Sequence, residues 1–429
     1  MKKISTESYK GVRDFYPEDM YVQNYIFEKM RETAESFGYS EYSASILESS
    51  ELYRAKSGEE IVNEQTYSFK DRGDRDVTLR PEMTPTVARM VAAKKRELSY
   101  PLRWYSIPNL FRYEQPQRGR LREHWQLNVD IFGVESNEAE KEMLVIAHRL
   151  MKNFGAKDSD FEIRINDRRI MNALYEKFEL GAEEIEKVSR AMDKKGKSTV
   201  EAFKEMLGGI FKKDSHVDEF LAVVESNKKL IEALGEDNPL VKNLVGLIDG
   251  LATLGIQNVV FDATIVRGLD YYTGIVFEIF DTNPENRRSL FGGGRYDDLL
   301  SLFGNDKVPA VGFGAGDVTV RDFLETHGLL PAFKSTTNLY IGVIDDAFSV
   351  AQTFADSLRA QGINVAIDYS GKSVGDQIKK AVTDQIPHLV IIGNQEATDK
   401  KIKIKNLETR EETEFGLEEA EKIADALIR

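Results

Sequence analysis

The stretch from Trp104 to Gly133 constrains the fold most, because it reads as a β-hairpin whose return strand is polar along one whole face. From His124 the residues run His-Trp-Gln-Leu-Asn-Val-Asp-Ile, and side chains alternate across a strand. His124, Gln126, Asn128 and Asp130 therefore fall on one side, and Trp125, Leu127, Val129 and Ile131 on the other. One side packs; the other offers hydrogen-bonding groups. Phe111 and Arg112 end the outgoing strand, and the connection from Tyr113 to Arg122 sets Arg118, Arg120 and Arg122 around a Pro/Gly turn. An ordinary sheet with one face in water has the same pattern. A polar-floored pocket edged by arginines also suits a small zwitterion beside a phosphate.

The rest of the chain narrows the class. Its 429 residues, 41% hydrophobic and 30% charged, predict a globular protein of several domains. No stretch approaches the ~18 to 20 apolar residues of a membrane span, and the first ten residues lack a hydrophobic signal region, so a cytoplasmic protein with no membrane partner is expected. Zero cysteines exclude disulfides and thiolate chemistry, and the five scattered histidines show no metal-ligand spacing. Any metal would be bound by carboxylate or phosphate. A net charge of −14 disfavours a general polyanion binder, DNA included. Between Leu102 and Arg122, however, five arginines face the single Glu114, so a nucleic-acid partner would be held by a local patch.

Periodicity divides the chain into a mixed α/β first part over 1–170, a helical insertion over 171–255, a return to the core over 256–331 and a C-terminal α/β domain over 332–429. In the first part a helix is expected over Pro17 to Phe37 and a strand over Asp76 to Arg80, followed by a helix with Thr84 as N-cap and Pro85 as first helical residue. The insertion is rich in Glu, Lys, Leu and Ala. Strands resume at Asn258 to Val266 and Ile275 to Phe280, and a glycine-rich turn from Phe291 to Asp297 is expected to open a short helix. The C-terminal domain alternates strand and helix, with a predominantly parallel sheet expected.

Two glycine-rich segments imitate nucleotide loops. Gly371-Lys372-Ser373 lacks the glycine a phosphate loop requires five residues earlier, where Ala366 stands, so a plain loop is expected. Gly312 to Gly316 is not a dinucleotide fingerprint; close backbone approach or strand-to-helix packing explains it. Arg267 to Gly274 differs. An arginine, an aspartate and two tyrosines lie between apolar strands, where charges need one another or a ligand.

Together these segments resemble the histidyl-tRNA synthetases, class II aminoacyl-tRNA synthetases, over nearly the whole chain. The likeness rests on Lys10 to Asp14, on Leu79-Arg-Pro-Glu82 with Thr84, and on Phe111 to Gly133 as class II motif 2. It also rests on Arg267 to Tyr272 and Gly292 to Asp297 as histidine-family signatures. The resemblance implies an α+β fold: a class II synthetase-like antiparallel sheet flanked by helices, an inserted helical domain and an anticodon-binding-like α/β domain. It implies activation of histidine by ATP with Mg²⁺, transfer to tRNA(His), and a homodimer.

On that resemblance, Glu82, Thr84 and Gln126 would receive the histidine ammonium, and Asp130 with Tyr271 and Tyr272 would form the rest of its site. Gln126 and Asp130 lie roughly 13 Å apart along one strand face, at ~3.3 Å per residue. Arg112 and Arg267 would be the catalytic pair at the α-phosphate of ATP; Arg120 would join the ATP site, and Gln117 and Arg118 would meet pyrophosphate or the tRNA acceptor end. No protein metal ligands are assigned. Two positions depart from the family pattern. Thr319 stands where motif 3 carries an arginine, and Arg321 lies about 200° further around a helix. Ser45 stands at the motif 1 proline. The rival reading is the synthetase-like regulatory subunit of ATP phosphoribosyltransferase, whose members usually lack the anticodon domain and degrade the Arg267 signature.

Overall fold

A computed structural model of the protein describes residues 4–54, 65–194, 199–211, 213–224, 226–265, 271–286, 288–304 and 307–428. The chain forms two units, 1–331 and 332–429.

Among the described residues the first unit is built on nine strands in one sheet. Its path runs Ser40–Glu41, Leu102–Ser106, Glu123–Phe132, Ala310–Gly316, Ser289–Arg295, Ile275–Asp281, Phe161–Asp167 and Val259–Phe261, with Asn109–Phe111 paired to Glu123–Phe132 beside it. Neighbours are antiparallel except at the two ends of the path. Alternation sorts the strands' side chains between two cores. Leu127, Val129, Ile131, Val311, Phe313, Ile275, Phe277 and Ile279 meet the helices on one face. Phe132, Ala310, Val276 and Leu102 join Met83, Tyr271, Tyr272 and Tyr296 in the other core.

The helix Pro17–Ser36 begins on its proline and buries Gln23, Ile26, Met30, Thr33 and Ala34 at helical spacing. Helix Thr84–Lys94 takes Thr84 and Pro85 as its first two residues, and the capping position falls to Met83, one residue earlier than expected. Helices from Arg168–Lys177 to Pro239–Thr253 fill the interval between two stretches of the sheet. Their starts are legible in chemistry: Thr199, Ser226 and Asn238 accept hydrogen bonds from the backbone amides of Ala202, Lys229 and Leu240.

Three expectations are corrected. Phe291 to Arg295 is interior strand, not a turn. Its glycines permit close strand contact, since a Cβ on Gly293 would lie 2.0 Å from the Gly312 carbonyl oxygen. Of the strand expected from Asn258 to Val266, among the described residues only Val259–Phe261 is regular, forming the sheet's outer edge, and Val266 lies outside the described residues. The C-terminal sheet is parallel only in half its pairings. Val365–Ile367, Leu339–Val343 and His388–Ile392 are parallel, whereas Lys401–Asn406 and Glu412–Gly416 add an antiparallel hairpin whose Lys/Glu-rich alternation hid it. In this unit Gly371-Lys372-Ser373 is a helix entry, with the Ser373 hydroxyl capping Val374–Thr383.

Arg295, from the second glycine-rich signature, secures the sheet to a helix. Its guanidinium grips both oxygens of Glu140 at 2.6 Å and donates to the carbonyls of Val134 and Ser136 and to Asp297. Arg295 and Glu140 are buried. Glu140→Ala would strand this guanidinium and is expected to lower stability by about 3–5 kcal/mol. Denaturant unfolding checks this: an unchanged midpoint would show that the pair does not secure the sheet.

Candidate active site

Strand register creates an open polar trough. Asp130 pairs with Gly312, Asn128 with Gly314 and Gln126 with Gly316, so no side chain opposes the polar row on that neighbouring strand. Gly314 and Gly312 in turn pair with Gly292 and Gly294. A methyl group would close this space: a Cβ on Gly312 would lie 2.2 Å from Asp130 Oδ1, and one on Gly314 2.4 Å from Gln126 Nε2. Asn128 and Asp130 are buried rather than solvated, because the second core covers their end of the face.

At the buried end, the Tyr296 hydroxyl donates to Asp130 Oδ1, while Oδ2 has no hydrogen-bond partner among the described residues. Burial pushes the Asp130 carboxyl up to about 7, against the opposing pull of Tyr296. The Tyr271 hydroxyl donates to Glu82 Oε2 at 3.1 Å, with Thr84 a near neighbour. The Tyr271 ring lies 4.9 Å from that of Tyr272 and 5.8 Å from that of Tyr296. Glu82, Thr84, Tyr271, Tyr272 and Asp130 are thus linked through aromatic contacts, and Gln126 lies further along the trough. Tyr296 belongs to a signature recognised in the sequence, but only the folded chain gives its hydroxyl a partner.

The basic end is organised by the hairpin. Arg112 Nε donates to the Pro81 carbonyl at 2.9 Å, and the Arg112 amide donates to the Arg122 carbonyl at 2.8 Å. Burial, then the charges of Arg112 and Arg13, hold the His124 imidazole down to about 3, so it is neutral. Arg122 is structural: its guanidinium lies 3.9 Å from the centre of the Tyr113 ring and donates to the Glu114 carbonyl. Gln117 and Arg120 exchange backbone hydrogen bonds around Arg118-Gly119, with Gly119 at φ +75°. The tip's side chains engage the same chain. Arg118 donates to Thr326 Oγ1, Gln117 accepts from Arg288, and Arg120 lies 3.4 Å from Glu114.

Asp317, not singled out in the sequence, joins distant segments. It accepts from Arg13 Nη2 at 2.7 Å, Gln23 Nε2 at 2.9 Å and the Trp125 amide at 2.8 Å. Two residues on, Thr319 donates to the Leu290 carbonyl, whereas Arg321 pairs with Asp19 at 2.8 Å and does not substitute for it. Arg267 lies outside the described residues, as do its neighbours through Asp270.

This antiparallel sheet, its motif hairpin and the separate α/β unit define the class II aminoacyl-tRNA synthetase fold. A histidyl-tRNA synthetase of Nostoc sp. PCC 7120 has it too, with a TM-score of 0.83 at 23% identity, covering 99% of this chain and 100% of that one. The family described as "Histidyl-tRNA synthetase" matches residues 11–318, and "Anticodon binding domain" matches residues 337–427. Histidine–tRNA ligases of Leptospira biflexa and Haloarcula marismortui are 43% and 38% identical, covering 100% and 96% of this chain and 99% and 96% of their own. The chain belongs to the histidyl-tRNA synthetase family.

The raised Asp130 pKa carries a stability signature. Its folded value of about 7 exceeds the unfolded carboxylate range, so the folded state holds a proton that the unfolded chain releases first. That contribution is full below about pH 4 and is lost as pH rises through about 7, on the order of 4 kcal/mol. Asp130→Asn removes the charge to be buried. Its stability relative to the native chain should increase between pH 5 and 8 by about 3 kcal/mol, the part of that loss falling above pH 5. Parallel denaturation profiles across that range would exclude an Asp130 that titrates in this way.

Proposed function

We propose that this chain is a histidine–tRNA ligase, which joins histidine to ATP to give histidyl-adenylate and pyrophosphate and then passes the histidyl group to the terminal ribose of tRNA(His). The observation that carries the reading is Asp130: a buried acid with one open oxygen at the end of a glycine-floored polar row. Histidine lies along that row. Glu82, Thr84 and Gln126 receive its ammonium, bringing acceptors and a negative charge, while Asp130 and Tyr272 receive its imidazole. Tyr271 positions Glu82 through their hydrogen bond.

The substrate carboxylate attacks the α-phosphorus, and the bond to pyrophosphate breaks with its electron pair on the leaving group. Charge develops on the phosphoryl oxygens. Arg112 and Arg267 stabilise it with their guanidinium charges, without a protein base. Arg120 joins the nucleotide site. Gln117 and Arg118 meet the pyrophosphate or acceptor end by exchanging the contacts they make to Arg288 and Thr326. No protein ligand is assigned to Mg²⁺, which would be carried mainly by phosphate oxygens. When bound, the ion would offset phosphate charge.

The proposed organisation keeps 1–170 and 256–331 as the catalytic core, 171–255 as its helical insertion and 332–429 as the anticodon-binding unit. A homodimer is proposed on family likeness. Exposed Leu47 and Phe69, on a small sheet of Leu47–Ser49, Asp76–Leu79 and Tyr67–Lys70, add to its support. No described helix is long and apolar enough to cross a membrane; we place the enzyme in the cytoplasm. The C-terminal match to an anticodon-binding domain favours the ligase over the regulatory phosphoribosyltransferase subunit.

Histidine-dependent exchange of labelled pyrophosphate into ATP tests the reading. Tight histidine binding without exchange would favour the regulatory subunit. Arg267→Ala is expected to abolish exchange while leaving the melting temperature close to native; exchange at the native rate would remove Arg267 from catalysis. Asp130→Ala should raise the histidine KM by about 10- to 100-fold, with ATP KM little changed.

A further inference from the structure

The proposed nucleotide contacts leave unused an arginine that reaches the hairpin tip. Arg288 stands one residue ahead of the strand Ser289–Arg295, and its Nη2 donates to Gln117 Oε1 at 2.9 Å. Gly119 marks the meeting point. A Cβ there would lie 3.6 Å from Thr319 Cγ2, 3.8 Å from Arg288 Cδ and 3.8 Å from Asp322 Oδ2. Strand order explains the convergence: Ser289–Arg295 pairs with Ala310–Gly316, which runs directly into helix Asp317–Thr326. The Thr319 hydroxyl ties the first turn of that helix to the Leu290 carbonyl. Positions 288 and 319 thus flank one turn of the hairpin from two different elements.

Three arginines converge here, and their partners differ. Arg118 lies 4.0 Å from Glu285, and Arg120 lies 3.4 Å from Glu114. Among the described residues Arg288 forms no ion pair, and its acceptor on Gln117 is a neutral amide oxygen. Partial desolvation, then the charge of Arg120, lower the Arg288 pKa, with Glu114 opposing. Two guanidinium groups that repel one another are reconciled by an anion that both can receive, and their planar donor forks match phosphate oxygens. The helix cannot supply the charge that Thr319 lacks. Its single arginine, Arg321, is committed to Asp19 at 2.8 Å. Arg288 brings a guanidinium to the same turn from the adjoining strand.

We propose that Arg288 binds the terminal phosphates of ATP, so that the positive charge absent at Thr319 comes from the neighbouring strand. With ATP as the cosubstrate of the proposed ligase, on which this assignment rests, Arg120 and Arg288 hold the β- and γ-phosphates from two elements. Gln117 releases Arg288 as the nucleotide enters. AMP lacks those phosphates and gains nothing from Arg288. A phosphate of the tRNA acceptor end has the same chemistry as those of ATP, and binding measurements separate the two sources.

Equilibrium binding of ATP, AMP and uncharged tRNA(His) to the full chain with Mg²⁺ present, native and Arg288→Ala, tests this. The variant is expected to bind ATP about 10- to 100-fold more weakly, with AMP affinity and melting temperature close to native. Thr319→Arg added to Arg288→Ala should restore part of the ATP affinity, because position 319 borders the same turn. Native ATP affinity in Arg288→Ala would overturn the assignment. Equal losses for ATP and AMP would also overturn it, by showing that Arg288 shapes the tip rather than receiving the terminal phosphates. Weakened tRNA binding with native ATP affinity would give the anion to the acceptor end and overturn it too. Failure of the ligase reading is distinguishable: a native chain that binds no ATP removes both, whereas native ATP binding with unaltered Arg288→Ala affinity removes only the Arg288 assignment.

Discussion

The register between Glu123–Phe132 and Ala310–Gly316 is the constraint on which the site depends. It puts Gly312 beside Asp130 and Gly314 beside Asn128, leaving open space along the polar face. A slip of Ala310–Gly316 by one residue would bring Phe313 onto that face and take Val311 and Phe313 out of the core they share with Leu127, Val129 and Ile131. The packed side thus enforces the open side. Asp317 fixes one end by accepting the Trp125 amide together with Arg13 and Gln23. Arg295 fixes the other through Glu140.

Against that frame the two ends of the trough have opposite character. The Asp130 end is dry and aromatic, which is why Asp130 resists ionisation and why we propose the histidine side chain there. The hairpin end, where we propose the nucleotide, is exposed and basic. Arg112 and Arg120 come from the hairpin, and their charges need no deep burial to meet phosphate. Thr319 is neutral and adds no charge to this end, and its hydroxyl donates to the Leu290 carbonyl.

Much of this was legible in sequence because it depends on local chemistry. Alternation through residues 124–131 identified both strand faces, and the spacing from Pro17 onward identified the first long helix. Tertiary partners were less accessible. The glycines of 292–294 read as a turn because nothing local shows that strands flank them on both sides. Asp317 carries no motif; it meets Arg13, Gln23 and the Trp125 amide only in the folded chain. The Arg321 helical offset, by contrast, was readable beforehand, and its pairing with Asp19 agrees with that geometry.

The central claim is that the trough selects histidine for activation and delivers it to tRNA. Charging tRNA with labelled amino acids, supplied one at a time with ATP, tests it most directly. The account predicts that histidine alone becomes acid-stably attached through a base-labile ester to tRNA(His). Attachment of a different amino acid instead, or histidine binding with no charged tRNA, would contradict it.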